Sequence, residues 1–84
     1  MATKSPNGLT SLQCRMARAG LRWRLQQLAE AAHVGKNTIF RFESDRTTAN
    51  PSTQAALRRA FEEAGVEFTN GNGVKIKNVP TEPA

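Results

Sequence analysis

The chain has 84 residues, of which twelve are Lys or Arg and seven are Asp or Glu, giving a formal net charge of +5. This length allows one compact domain with one small core, and it excludes a second domain or a roomy internal active site. Five basic residues precede the first acidic residue, Glu30, so the excess positive charge lies in the first third of the chain. A basic region favours polyanionic partners through counterion release, although basic surfaces also occur on proteins that bind no nucleic acid.

The sequence gives no sign of membrane insertion, metal binding or catalysis. No apolar run approaches the roughly 20 residues that a membrane-spanning helix needs, and the N-terminus lacks the pattern of a secretion signal. Cys14 is the single cysteine and His33 the single histidine, so one chain cannot form an intrachain disulfide or a dedicated Cys/His metal site. We therefore expect a cytoplasmic protein with no cofactor, no metal, no small-molecule ligand and no enzymatic activity.

Apolar residues recur at helical spacing near the start of the chain. Cys14, Ala17 and Leu21 fall on one face of a first helix, and Thr10 or Ser11 is placed to accept from the free amides at its start. A second helix is predicted from Leu25 to Ala32.

A third helix follows after only three residues. It is predicted from Lys36 to Glu43, with Gly35 as its N-cap and with Ile39 and Phe42 facing the core. Two short helices joined in this way form the helix-turn-helix pattern. The exposed face of the third helix carries Lys36, Asn37, Phe40 and Arg41.

A fourth helix and a hairpin complete the predicted elements. Ser52 or Thr53 is placed to cap a helix that runs through Ala64 and ends at Gly65. Residues 66–68 and 74–77 then alternate apolar and polar side chains around a glycine-rich turn, which predicts a β-hairpin. A lone hairpin is marginal in water, so it must pack on the helices or pair with another chain.

The predicted fold is mainly α, a four-helix helix-turn-helix domain at residues 9–65 followed by the hairpin at residues 66–77. The polar ends, residues 1–8 and 78–84, contain prolines and are expected to be loosely ordered tails.

The stretch Trp23–Glu43, WRLQQLAEAAHVGKNTIFRFE, resembles the helix-turn-helix of the phage repressor and Cro family, also called Xre-type regulators. The likeness continues through the fourth helix and residues 65–68, and so covers most of residues 9–77. The resemblance implies that the third helix lies in the major groove of double-stranded DNA. It also implies an ion pair between Arg18 and Glu43, which would remove Arg18 from the DNA-binding residues.

The sequence departs from the family pattern at the turn and at the start of the second helix. His33 stands where the family usually has glycine, and histidine adopts positive φ more readily than most residues. Arg24 and Leu25 replace the family's Ser or Thr cap and its phosphate-binding Gln. That phosphate contact is therefore assigned to Arg22 or Arg24.

The exposed residues of the third helix are the predicted base contacts. Lys36 and Arg41 suit guanine O6 and N7, and Asn37 suits adenine N6 and N7. Phe40 either packs on a thymine methyl group or turns inward against the following loop. The predicted phosphate contacts, for which idle surface positions are the alternative, are Arg22, Arg24, Thr38, Arg46, Thr47, Thr48 and Asn50.

One such unit buries too little DNA for strong specificity, so the resemblance predicts a homodimer on an inverted repeat, with recognition helices about 34 Å apart. The candidate dimer interface is the hairpin, whose edge is expected to pair with its two-fold mate and bury Val66, Phe68, Val74 and Ile76. The alternative is a hairpin folded onto its own core.

The expected function is that of a transcriptional regulator, most simply a repressor that excludes RNA polymerase, with polymerase contact as the other route. Short members of the family occur in phages, mobile elements and toxin-antitoxin pairs. The main rival is an antitoxin or antiactivator that uses this fold to cover a protein partner. Nonspecific nucleoid binding is a third option, and it predicts steep salt dependence with little sequence preference.

Overall fold

The computed structural model describes residues 8–44, 50–69 and 73–77. The rest of both predicted tails, the stretch 45–49 and the turn residues 70–72 lie outside these ranges. Within them, the chain is mainly helical and ends in a two-stranded antiparallel hairpin, which confirms the predicted fold class. The elements are α1 (Ser11–Leu21), α2 (Leu25–Ala32), α3 (Lys36–Glu43), α4 (Pro51–Glu63), β1 (Val66–Phe68) and β2 (Val74–Ile76).

Two helices begin at side-chain caps. At α1, Thr10 Oγ1 accepts from the Gln13 amide at 3.0 Å, and Gln13 Oε1 accepts from the Thr10 amide at 3.1 Å, a reciprocal capping box. The predicted cap of α4 at Ser52 or Thr53 is wrong. Asn50 is the N-cap, its Oδ1 accepts from the Thr53 amide at 2.8 Å, and Pro51 begins the helix with a φ already fixed near the helical value.

Two non-glycine residues end helices in the left-handed region. Arg22 has φ 60° after α1, and His33 has φ 57° after α2. This conformation costs an L-residue about 1–2 kcal/mol because Cβ approaches the following carbonyl oxygen. The positive φ predicted for His33 is therefore confirmed.

The core lies between the helices, and the hairpin closes one side of it. Leu28, Ile39, Leu57 and Phe61 are fully buried. The Trp23 ring stacks on Phe61 at 5.9 Å between centroids.

The apolar face of the hairpin packs against α1 and α4. Val66 is 3% exposed, and the Phe68 ring meets Phe61 edge-on at 6.0 Å. Ile76 lies against Gly20 of α1 so closely that a Cβ at Gly20 would stand 3.0 Å from two Ile76 side-chain carbons. The glycine therefore permits the close approach of helix and strand.

Candidate nucleic-acid interface

The helix-turn-helix is formed by α2 and α3 and the three residues that join them. The left-handed conformation of His33 ends α2, and the His33 and Val34 amides both donate to the Ala29 carbonyl. Gly35 is extended, with φ −60° and ψ 141°, and starts α3 as its N-cap. This sequence of conformations reverses the chain within three residues and sets α3 across α2.

The two faces of α3 differ sharply in composition. Ile39 and Phe42 are 0% and 5% exposed and fix the helix to the core. Phe40 is 48% exposed, and the loop against which its alternative orientation would turn, residues 45–49, lies outside the described residues. The exposed side chains of this helix are Lys36, Asn37, Thr38, Phe40 and Arg41.

The C-terminal end of α3 is tied to α1 through Glu43. Arg18 Nε and Nη2 donate to the two carboxylate oxygens of Glu43, each at 2.9 Å, so the ion pair implied by the family resemblance is present. Arg18 Nη1 also donates to the Trp23 carbonyl at 3.0 Å. One guanidinium thus connects α1, the segment before α2 and the end of α3.

Cys14 adds a third contact to this cluster. Its Sγ lies 3.3 Å from Glu43 Oε2 and donates to it in the interior of the domain. Burial raises the pKa of the Cys14 thiol, and the nearby negative charge of Glu43 raises it further. The hydrogen bond to Glu43 raises the pKa of Arg18. The thiol is therefore protonated and the guanidinium charged throughout the physiological pH range.

Arg15 also holds the end of α3, a role that the sequence analysis did not predict. Its Nη1 donates to the backbone carbonyl of Glu43, one of the orphan carbonyls at the end of α3. A cation at this position also opposes the negative end of the helix dipole. Arg15 lies three residues before Arg18 on the same side of α1, a position that points to Glu43 only once the contact between Arg18 and Glu43 is known.

These contacts determine the charge of the exposed α3 face. Glu43 is the single carboxylate in α3, and it is 6% exposed, turned inward and paired with Arg18. The outward face of α3 therefore presents the positive charges of Lys36 and Arg41 without an acidic neighbour on the same helix.

Two further cations flank the start of α2. Arg24 is its N-cap, and the Arg24 amide donates to Gln27 Oε1 at 2.8 Å, so the backbone is capped while the guanidinium stays exposed. Arg22 is also exposed. Leu25 is partly buried against the core, in keeping with the loss of the family's glutamine contact.

Of the other predicted phosphate contacts, the structure describes some and not others. Arg46, Thr47 and Thr48 lie outside the described residues. Asn50 is exposed, but its Oδ1 is engaged by the amide of Thr53 and by the hydroxyl of Ser52 at 2.9 Å. Only its side-chain NH₂ group remains to donate to a phosphate.

The four side chains predicted for a dimer interface pack against the chain's own helices, as expected for a hairpin folded onto its own core. Val66 is buried, and the other three are partly buried against the core. These four are Val66, Phe68, Val74 and Ile76.

The fold and this face together define a helix-turn-helix domain. Comparison with protein-family models, with curated proteins and with solved structures finds no match for the chain. Among the described residues, no helix is long and apolar enough to cross a membrane, and no three potential metal ligands of the Asp, Glu, His or Cys type cluster together.

Proposed function

We propose that the chain is a sequence-specific regulator that binds double-stranded DNA and reads the major groove with α3. One observation supports this proposal: α3 is fixed at its end by the pair of Arg18 and Glu43, and its outward face presents basic and amide side chains with no exposed acid on the helix. A rigid, basic helix of this size suits the major groove, which is about 12 Å wide.

The side chains match the chemistry of base edges and phosphates. Lys36 and Arg41 donate to guanine O6 and N7, and Asn37 forms a bidentate pair with adenine. Phosphate contacts fix the register on the duplex. They come from Arg22 and Arg24 beside α2 and from Thr38, Arg46, Thr47, Thr48 and Asn50.

The proposed functional unit is a homodimer on an inverted repeat. A single module of this size buries roughly 600–1,000 Å² of protein surface on DNA, which limits specificity. Binding of the dimer over a promoter excludes RNA polymerase, so repression by occupancy is the proposed mode of action. The same features fit the phage repressor and Cro family.

A second candidate function is protein binding, as in an antitoxin or antiactivator. The observation in its favour is Phe40, a large apolar side chain that is 48% exposed. The surrounding positive charge of α3 favours DNA instead, because aromatic anchors of protein interfaces usually lie in desolvated apolar centres.

The test is selection of binding sites by the purified chain from a random duplex library, followed by measurement of Kd for the selected and a scrambled duplex at fixed salt. We expect a preference above roughly 1,000-fold for the selected duplex. Arg41→Ala should cost about 1–3 kcal/mol of binding free energy and relax specificity at one base pair.

Arg59→Ala is the matched control. It removes the same charge from an exposed position on α4, outside the proposed interface, and is expected to leave the sequence preference intact. Failure to select any sequence, with no binding at physiological salt, would overturn the proposal and direct attention to a protein partner.

A further inference from the structure

The position and exposure of Phe40 carry an inference that rests on the proposed function and extends it. Phe40 follows Asn37 by three residues and Lys36 by four, so it projects beside both of them one helical turn further on. It therefore lies within the polar face of α3, and its side chain is 48% exposed.

The neighbours of Phe40 argue against a general hydrophobic contact surface. Large apolar side chains on α3 are otherwise turned inward, since Ile39 and Phe42 are 0% and 5% exposed. The other exposed side chains of the helix include an amide and two cations, Asn37, Lys36 and Arg41. An apolar ring among cationic and hydrogen-bonding side chains is complementary to a surface that is mostly polar and anionic but contains one apolar group.

The major groove of DNA offers such a surface. Its base edges present acceptors and donors, its rims carry phosphates, and its one apolar group is the C5 methyl of thymine. We propose that Phe40 is a specificity-determining residue that recognises the 5-methyl group of a pyrimidine, so that the sites bound by this protein contain a thymine whose methyl group contributes to affinity.

The test removes the methyl group and nothing else. In the selected duplex, each thymine is replaced in turn by deoxyuridine, which keeps the base pair and all hydrogen-bonding atoms. Burial of one methyl-sized group predicts a loss of about fourfold in affinity at one thymine. Deoxyuridine at the other thymines is expected to be nearly neutral.

The variant Phe40→Ala assigns the effect to this side chain. It is expected to bind the thymine and deoxyuridine duplexes with equal affinity, whereas Phe40→Leu, which keeps an apolar side chain, retains part of the difference. Because Phe40 is exposed, both variants should fold, and their thermal unfolding is measured alongside.

Two results would overturn the inference without touching the proposed function. The first is a selected duplex that tolerates deoxyuridine at every position. The second is a deoxyuridine effect that persists unchanged in Phe40→Ala, since the methyl group would then be read by another residue or through DNA shape. Absence of any selected duplex is a different outcome, because it contradicts the proposed function itself and leaves Phe40 as a protein contact.

Discussion

Arg18 makes two structural contacts through one guanidinium group. Its guanidinium neutralises a buried carboxylate, and it also satisfies the Trp23 carbonyl where the chain passes from α1 to α2. The carboxylate belongs to the last residue of α3, so this contact fixes the angle of the proposed reading helix. A residue that looks like part of a basic DNA-binding surface is thereby committed to the scaffold.

We predict that Arg18→Met lowers the free energy of unfolding by about 3 kcal/mol, because it leaves the Glu43 carboxylate buried without its counter-ion. The measurement is urea unfolding at neutral pH. The double variant Arg18→Met/Glu43→Leu should lose less than Arg18→Met alone, since no buried charge remains. Arg59→Met makes the same change at an exposed position and serves as the control. If Arg18→Met and Arg59→Met lowered the free energy of unfolding equally, the buried Glu43 carboxylate would not need Arg18 as its counter-ion.

Cys14 gives a pH-dependent prediction at the same cluster. Its folded pKa is raised by burial and by Glu43, whereas the unfolded thiol ionises near its ordinary value of 9.0. The unfolded chain then loses a proton that the folded chain keeps, so stability falls as the pH rises above about 9. Relative to Cys14→Ser, which retains a donor to Glu43 and does not titrate, the wild type should lose roughly 1.4 kcal/mol more at pH 10. Unfolding curves at pH 8 and pH 10 measure this difference, and parallel behaviour of the two proteins would contradict it.

At the scale of elements, local sequence patterns predicted the helices but not the contacts between residues far apart in the chain. Periodicity and the short turn placed α2 and α3 at the observed bounds. The start of α4 was misjudged, because Asn50 followed by Pro51 is a stronger cap signal than the serine and threonine after it. The donation from Arg15 to the Glu43 carbonyl joins residues 28 apart, and no local pattern specifies such a pairing.

The contact of α1 with β2 allows a test of packing between elements. Alanine at position 20 gains about 1 kcal/mol of helix propensity over glycine, but its methyl group would stand 3.0 Å from two carbons of Ile76. Overpacking of this kind costs about 1–3 kcal/mol. We therefore expect Gly20→Ala to destabilise the wild type and to stabilise an Ile76→Ala background.

The four proteins of this cycle are compared by thermal and urea unfolding. The sign change between backgrounds is the informative result, because it isolates the contact of helix and strand from helix propensity. Equal effects of Gly20→Ala in both backgrounds would mean that the Ile76 side chain moves aside for the added methyl group at little cost. The glycine would then not be required for the hairpin to pack against α1.

At the scale of the whole molecule, the proposed homodimer requires a surface through which two copies pair. The pairing of Thr69 with Gly73 and of Gly65 with Lys77 makes the pairs Val66–Ile76 and Phe68–Val74 the non-hydrogen-bonded ones of the ladder. The amides and carbonyls of Val74 and Ile76 therefore point away from β1, toward the outer edge of β2. In the proposed homodimer, we expect the two-fold mate to pair with this edge of β2, while the apolar side chains of each hairpin stay packed on their own helices.

Val74→Pro tests this arrangement directly. Proline removes the outward amide of β2 without removing a hydrogen bond between β1 and β2, and prolines are tolerated on edge strands of this kind. We expect the wild type to sediment as a dimer and Val74→Pro as a monomer with weakened operator binding, while Val74→Ala, which loses the side chain but keeps the amide, remains dimeric. Lys77 is paired with Glu67 at 3.8 Å within the hairpin, but the exposed Lys75 of each copy places a like charge near the shared edge, so added salt should strengthen the association. A Val74→Pro variant that stays dimeric would locate the two-fold contact elsewhere on the domain and leave the hairpin as a purely intramolecular cover for α1 and α4.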